Sequence, residues 1–138
     1  MQATGHMQNY KDLDIYRLAH TLAIEVHRMT LEKLPAFELY EEGSQIRRSS
    51  KAISATIVEG FGRKLYQQEF VRYLTHAIAS CDETKEHIEL LYESGSLKNQ
   101  EQCRELLSRY EELGRKLYRF REAVQDSLRS EACSLEPR

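Results

Sequence analysis

A chain of 138 residues with 20 Lys+Arg against 22 Asp+Glu, a formal net charge of −2 and a pI near 6.2 lacks the overall basicity of a dedicated nucleic-acid protein, which leaves open only a local basic patch. At 41% apolar and 30% charged residues it suits one globular domain with a proper core, and no apolar run approaches the roughly 18 residues of a membrane span. Cys81, Cys103 and Cys133 are odd in number and widely spaced, which fits a reducing cytosol better than a disulfide framework and, with no signal-peptide pattern ahead of the first helix, sets the expectation of a cytoplasmic location.

The opening Met1–Met7 resembles a cloning remnant with Met7 as the native start, so residues 1–9 are expected to be tag-like and disordered and His6 is set aside. The first predicted helix runs from Leu13 to Leu34. Ile15, Ala19, Leu22, Val26 and Met29 recur at steps of three and four, with Leu18 and Ala23 widening the stripe. Asp12 is the expected N-cap and Pro35 the stop. Ala36 to Glu42 connects to a second helix from Ser44 to Phe61, whose inner stripe is Ile46, Ser50, Ile53, Ile57 and Phe61. Ala52, Ala55, Thr56 and Gly60 are small enough for close helix approach, and Gly60-Phe61-Gly62 ends or bends this helix.

The third helix, Gln67 to Glu93, places Phe70, Leu74, Ala77, Ile78, Cys81, Ile88 and Leu91 on one face, with Gly95 as its C-terminal stop. The fourth, Asn99 to Leu128, carries Leu106, Tyr110, Leu113, Leu117, Phe120, Val124 and Leu128 at nearly heptad spacing. Only two prolines (Pro35, Pro137) and six glycines interrupt the chain, and the connections are short. The expected fold is all-α: an up-down antiparallel four-helix bundle over residues 10–128, with a flexible polar tail at 129–138. Tyr16, Val71, Leu90, Tyr92, Leu107 and Tyr118 lie off the main stripes, a surplus that points to self-association.

The second helix carries the most unusual chemistry. Arg47, Arg48, Lys51, Arg63 and Lys64 stand against one acid, Glu59. Arg47 and Lys51 share a face by their spacing, and Glu59 and Arg63 form a candidate structural pair. This strip can meet phosphates. Alternatively, Arg47 and Arg48 pair with acids on neighbouring helices, of which the third offers Glu69, Asp82, Glu83, Glu86, Glu89 and Glu93.

The arginine pair, the run Ile57-Val58-Glu59-Gly60-Phe61-Gly62-Arg63, and Glu69-Phe70-Val71-Arg72-Tyr73-Leu74 followed by Ala77, Ser80 and Glu83 resemble the four-helix-bundle proteins encoded in intervening sequences of bacterial 23S rRNA genes. Tyr10-Lys11-Asp12-Leu13-Asp14-Ile15-Tyr16 and Leu34-Pro35-x-x-Glu38 extend the resemblance over roughly residues 10 to 125, with Glu59-Gly60-x-Gly62-Arg63 its most specific element. One departure is Ser54, where that family usually has proline. The resemblance implies a ring-like homo-oligomer, a pentamer, and a nucleic-acid-associated role. Relatives that are accessory factors of diversity-generating retroelements imply a reverse transcriptase as a further partner. No catalytic residue carries over.

A second basic cluster, Arg115, Lys116, Arg119 and Arg121, interleaves with Tyr118 and Phe120, a pattern suited to phosphate contact plus base stacking. Its alternative is a solvated face near a helix C-terminus, quenched by Glu111, Glu112 and Glu122. For catalysis the sequence offers little. No glutamate stands three residues before a histidine, as a di-iron bundle requires, and no His-Glu-x-x-His zinc motif occurs. His20 and His27 are a bare pair two turns apart. Arg72 and His76, with Glu83 on the same side, are spaced one residue closer than the pair used by some helical-bundle ribonucleases. The expectation is a non-catalytic protein without metal or cofactor, acting by binding nucleic acid or, in the competing reading, as a protein-interaction scaffold.

Overall fold

A computed structural model describes residues 9–135, with side chains as far as residue 130. The tag-like opening, Cys133 and Pro137 lie outside the residues whose side chains are described. Four helices make up the fold: α1 (Asp14–Glu32), α2 (Glu42–Gly62), α3 (Gln67–Glu93) and α4 (Gln100–Leu135). Helix α1 packs on α2 and α4, and α3 packs on α2 and α4, with no comparable packing across either diagonal among the described residues. That cycle of neighbours is the up-down bundle expected from the short connections.

The inner stripes read from the sequence are the core. Leu22, Val26, Ile53, Ile57, Leu74, Cys81, Ile88, Leu91, Leu113 and Leu117 have no solvent exposure. Leu18, Ile78, Phe120, Val124 and Leu128 are half-buried. Helix α4 extends seven residues past the expected end at Leu128. At 1.5 Å per residue its 36 residues span ~54 Å against ~40 Å for the 27 of α3, so its C-terminal turns overhang the bundle. The core also takes Leu13, which is not on the stripe read for the first helix, and Leu97, which lies between the third and fourth stretches.

Two helix starts and one connection depart from expectation. Asp12 does not cap α1. Its carboxylate accepts from the Asn9 N–H (3.3 Å) while the Asn9 side chain accepts from Lys11 N–H (2.9 Å), closing a 3-10 turn over Tyr10–Asp12. Helix α1 then starts after Leu13, whose burial fixes where the chain turns. Helix α1 ends at Glu32 and not Leu34, because the residue before Pro35 is pushed out of the helical region. Helix α2 starts at Glu42, two residues early, on the end of a second 3-10 segment, Ala36–Tyr40.

The α2–α3 packing is close. Gly60 has no room for a side chain, since a Cβ there would lie 2.8 Å from the Tyr73 Cβ and 3.2 Å from the Phe70 ring. Of the other small residues, Ala55 faces solvent. Helix α2 runs unbroken through Ser54, whose hydroxyl donates back to the Lys51 carbonyl (3.3 Å), and continues through Gly60 to Gly62. Inside the bundle the Ser49 and Thr84 hydroxyls meet at 2.8 Å and lock α2 to α3. Helix α3 ends at Glu93 with Ser94 as its C-cap, and Gly95, expected as the cap, follows one residue later as the one position with positive φ (88°) among the described residues. The Gly95 N–H donates to the Tyr92 carbonyl and the Leu97 N–H to the Leu91 carbonyl. Asn99 caps α4 by accepting from the Gln102 N–H at 3.0 Å.

Candidate nucleic-acid interface

The sequence placed Arg47, Arg48, Lys51, Arg63 and Lys64 in one strip. The fold divides them. Sixteen residues of helix separate Arg47 from Arg63, ~24 Å along the axis, so they stand at opposite ends of the bundle.

Arg47 is held inside the α1–α2 connection. Its guanidinium donates to the Thr30 hydroxyl (2.8 Å) and to the Leu39 carbonyl (2.5 Å). It pairs with no acid among the described residues. Arg48 and Lys51 are exposed and make no ion pair among the described residues. The Glu59–Arg63 pair is not made. Arg63 sits at the C-cap with φ −109° and ψ 20°, off the helical path that would align it with Glu59, and its guanidinium lies over the Tyr73 ring at 5.4 Å. Lys64 lies over the Phe61 ring at 4.2 Å.

The second cluster stands at the same end as Arg63 and Lys64. Phe120 packs edge-on against Phe70 near the start of α3 (5.7 Å), and Lys116 reaches Asp14 at the start of α1. Lys116 is thereby committed to the α1–α4 seam, with Glu112 at 3.7 Å behind it, and its hydrogen bond to Asp14 pushes its pKa up. Glu25 and Arg109 (2.5 Å) close the same seam farther along. Arg115 and Arg119 are exposed, a turn apart, and unpaired among the described residues. Between them Tyr118 is 53% exposed, and the Arg121 guanidinium covers its ring at 5.2 Å while donating to the Thr75 hydroxyl (3.2 Å). Arg115 also lines a shallow groove along α4 with Arg104, Leu107, Ser108 and Glu111. Arg104 is a member of this face that the sequence pattern did not single out; its spacing of eleven residues from Arg115, three helical turns, was the available signal.

Arg72 and His76 are both exposed on α3. The Arg72 guanidinium is held by Glu69 (3.1 Å) and lies over Tyr73 (5.7 Å), and His76 lies 6.4 Å from the Tyr73 ring. Both side chains stand open to solvent. Among the described residues no group of three or more His, Cys, Asp or Glu is gathered as a metal site, and no helix is long and apolar enough to cross a membrane. Burial pushes the Cys81 thiol up to about 11, and the thiol donates to the Tyr110 carbonyl (3.3 Å).

Two polar arrangements, one buried and one partly exposed, were not visible in the sequence. Glu38, 5% exposed, accepts from the Glu42 N–H (3.0 Å) at the start of α2 and from the Ser96 hydroxyl (2.5 Å) in the α3–α4 connection. One carboxylate thus caps a helix and joins two connections. His87 on α3 contacts Glu42 through Nδ1 and Glu83 through Nε2 (3.1 Å).

The sequence model of the 23S rRNA-intervening sequence proteins matches residues 11–119. The chain belongs to that family. The overhang of α4 lies beyond the matched residues. A solved structure of an S23 ribosomal protein family member from Bacteroides thetaiotaomicron, itself of unknown function, superposes with a TM-score of 0.70 at 18% identity, covering 78% of this chain and 95% of that one. At that identity it shows the shared bundle. No curated protein matches the sequence. In this chain Gly60 and Glu38 serve the bundle, while Arg115, Tyr118 and Arg119 face solvent.

Proposed function

We propose that this intervening-sequence protein is a non-catalytic, cytoplasmic binding protein that holds structured RNA against the outer face of α4. The observation that carries the reading is the pair of unpaired cations, Arg115 and Arg119, set around the half-exposed Tyr118 with Arg121 stacked on it. Cations tracking a backbone beside an aromatic platform are what a splayed strand or loop requires. Arg104 prolongs the positive face along the groove, and Arg63 and Lys64 lie toward the same end of the bundle. Arg48 and Lys51 form a lesser, separate site. The bonds of Arg47 to Thr30 and Leu39 support a structural role for it, and we leave it out of the contact set. Self-association into a ring, a pentamer by the family resemblance, would repeat the α4 face and raise avidity with no change in the individual site.

Fluorescence anisotropy with a labelled RNA hairpin tests this. Binding should weaken steeply with salt, and Arg115→Glu with Arg119→Glu should weaken it at least tenfold and lower the salt slope by about one for each phosphate left unneutralised. Tyr118→Ala should weaken loop binding more than duplex binding. No binding at low salt, or a charge-reversed variant that binds as well as the parent, refutes the reading. Cleavage of the RNA that disappears in His76→Ala would replace it with the ribonuclease reading.

A further inference from the structure

One pentapeptide occurs twice in the chain, as Gly62-Arg63-Lys64-Leu65-Tyr66 and as Gly114-Arg115-Lys116-Leu117-Tyr118. The fold brings both copies to the same end of the bundle, where Phe70 at the start of α3 meets Phe120 on α4. The two copies are used differently. On α4 the second copy is helical: Leu117 is in the core, Lys116 is tied to Asp14, and Arg115 and Tyr118 face out. The first copy makes the α2–α3 turn and buries nothing. All five of its residues are exposed, Leu65 at 90% and Tyr66 at 70%.

The turn is not slack. The Arg63 N–H donates to the Gly60 carbonyl (3.0 Å), the Lys64 N–H to the Phe61 carbonyl (3.2 Å) and the Tyr66 N–H to the Arg63 carbonyl (2.8 Å), while the Tyr66 carbonyl accepts from the Phe70 N–H (3.0 Å). Leu65 and Tyr66 are thus held in water on a hydrogen-bonded backbone, and a partner that covers them orders little beyond the two side chains. Their surroundings select the partner's charge. Arg63 and Lys64 flank them and make no ion pair among the described residues. At the opposite end, the exposed Phe37 and Leu90 share a groove with Glu41, and Glu86 and Glu93 stand a turn either side of Leu90, carboxylates that would repel a phosphate.

Two contacts set the register of α3 on α4: the Cys81 thiol on the Tyr110 carbonyl and the Phe70 ring on Phe120. Tyr118 then lies about level with Tyr73, and Tyr66, seven residues back on the α3 side, lies ~10 Å farther along the bundle. We propose that the Arg63–Tyr66 turn is a second base-stacking site for RNA. Tyr66, with Leu65 beside it, takes an unpaired base from a strand that already rests on Tyr118, and Arg63 and Lys64 meet the phosphates of that strand. The axial gap between the two tyrosines is ~three nucleotides at ~3.4 Å each. The ligand is therefore a stem that continues into an unpaired strand of at least that length, since a continuous duplex has no base to give either ring. This inference rests on the α4 reading of the proposed function and names the class of RNA that the face takes.

Fluorescence anisotropy of the full chain tests it with one RNA stem carrying a tail of about one or about six unpaired nucleotides, lengths that fall short of the gap and exceed it. The parent should bind the longer tail about tenfold more tightly, the worth of one stacked base. Tyr66→Ala should erase most of that gain, and Tyr66→Phe, which keeps the ring, should retain it. Tyr66 is exposed, so both variants should keep the parent's circular dichroism and melting. No binding of either RNA at low salt overturns the α4 reading and the turn's role with it. Equal affinity of the parent for the two tails, or a gain that survives Tyr66→Ala, overturns the turn's role and leaves the α4 face standing. A missing tail gain together with flotation on phosphatidylglycerol vesicles that Leu65→Ser abolishes would assign the turn to a membrane surface instead.

Discussion

Removing the Glu38 carboxylate should cost more than any other single polar change in this fold. Its two oxygens satisfy two groups: the Glu42 N–H at the exposed start of α2, at 3.0 Å, and the Ser96 hydroxyl at 2.5 Å. A lost N-terminal cap costs about 1 kcal/mol. A lost hydrogen bond to a charged acceptor adds about 1.5–3 kcal/mol. Glu38→Ala should therefore destabilise the protein by about 3 kcal/mol, a large share of the ~5–15 kcal/mol typical of a domain. Glu38→Gln should cost about half as much, because the amide oxygen can still accept from Glu42 and the Ser96 hydroxyl can turn to accept. Urea unfolding followed by far-UV circular dichroism measures both. A Glu38→Ala loss below about 0.5 kcal/mol, the size of an exposed ion pair, would show that the carboxylate is not the joint between the two connections.

Gly60→Ala should destabilise by about 1–3 kcal/mol, because its Cβ would meet the Tyr73 Cβ at 2.8 Å, whereas Gly62→Ala, with open space around it, should stabilise by about 0.5 kcal/mol; thermal melts of the two variants should move in opposite directions. Cys81 is raised in the fold, so its contribution is complete below the ordinary thiol value of 9.0 and is lost as pH climbs toward about 11. The parent should then lose about 2 kcal/mol more stability than Cys81→Ala between about pH 8.5 and about pH 11, and parallel urea midpoints would contradict this. Arg47→Met should destabilise by about 2 kcal/mol while leaving RNA affinity within about twofold, since the side chain serves Thr30 and Leu39; a tenfold loss of affinity with unchanged stability would return Arg47 to the binding surface.

The bundle was legible because the period of the apolar residues is a local property that burial then enforces. Ile46, Ile53 and Ile57 can face only one way once α2 is a helix, and Gly95 has the backbone freedom its positive φ requires. Helix ends were less legible, since Asp12 and Leu13 compete for the same turn and the winner is settled by where Leu13 finds the core. The candidate site was half legible. Arg115, Arg119 and Tyr118 could be placed on one face by counting, but the fate of Arg47 depended on a carbonyl eight residues upstream, freed by the irregular Ala36–Tyr40 segment. Spacing along a helix says nothing of such partners. Nor does it signal Glu38, whose importance comes from Ser96, 58 residues away in sequence.

Some of the residues that carry the family resemblance have, in this structure, an internal employment. Glu38, at the end of Leu34-Pro35-x-x-Glu38, joins two connections. Gly60, in Glu59-Gly60-x-Gly62-Arg63, makes room for Tyr73, and Arg63 covers that same ring from the helix end. Two members of the second-helix motif, Gly60 and Arg63, thus pack against Tyr73 at the α2–α3 contact. Membership of the family follows from residues that shape the bundle, and so it transfers the fold directly and the chemistry only through whatever the outer faces present. Those faces are set by positions the motif leaves free: Arg115, Tyr118 and Arg119 on α4, and Leu65 and Tyr66 at the α2–α3 turn. Substitutions at Glu38 and Gly60 should therefore register as stability. Substitutions on these faces should register as binding with stability unchanged.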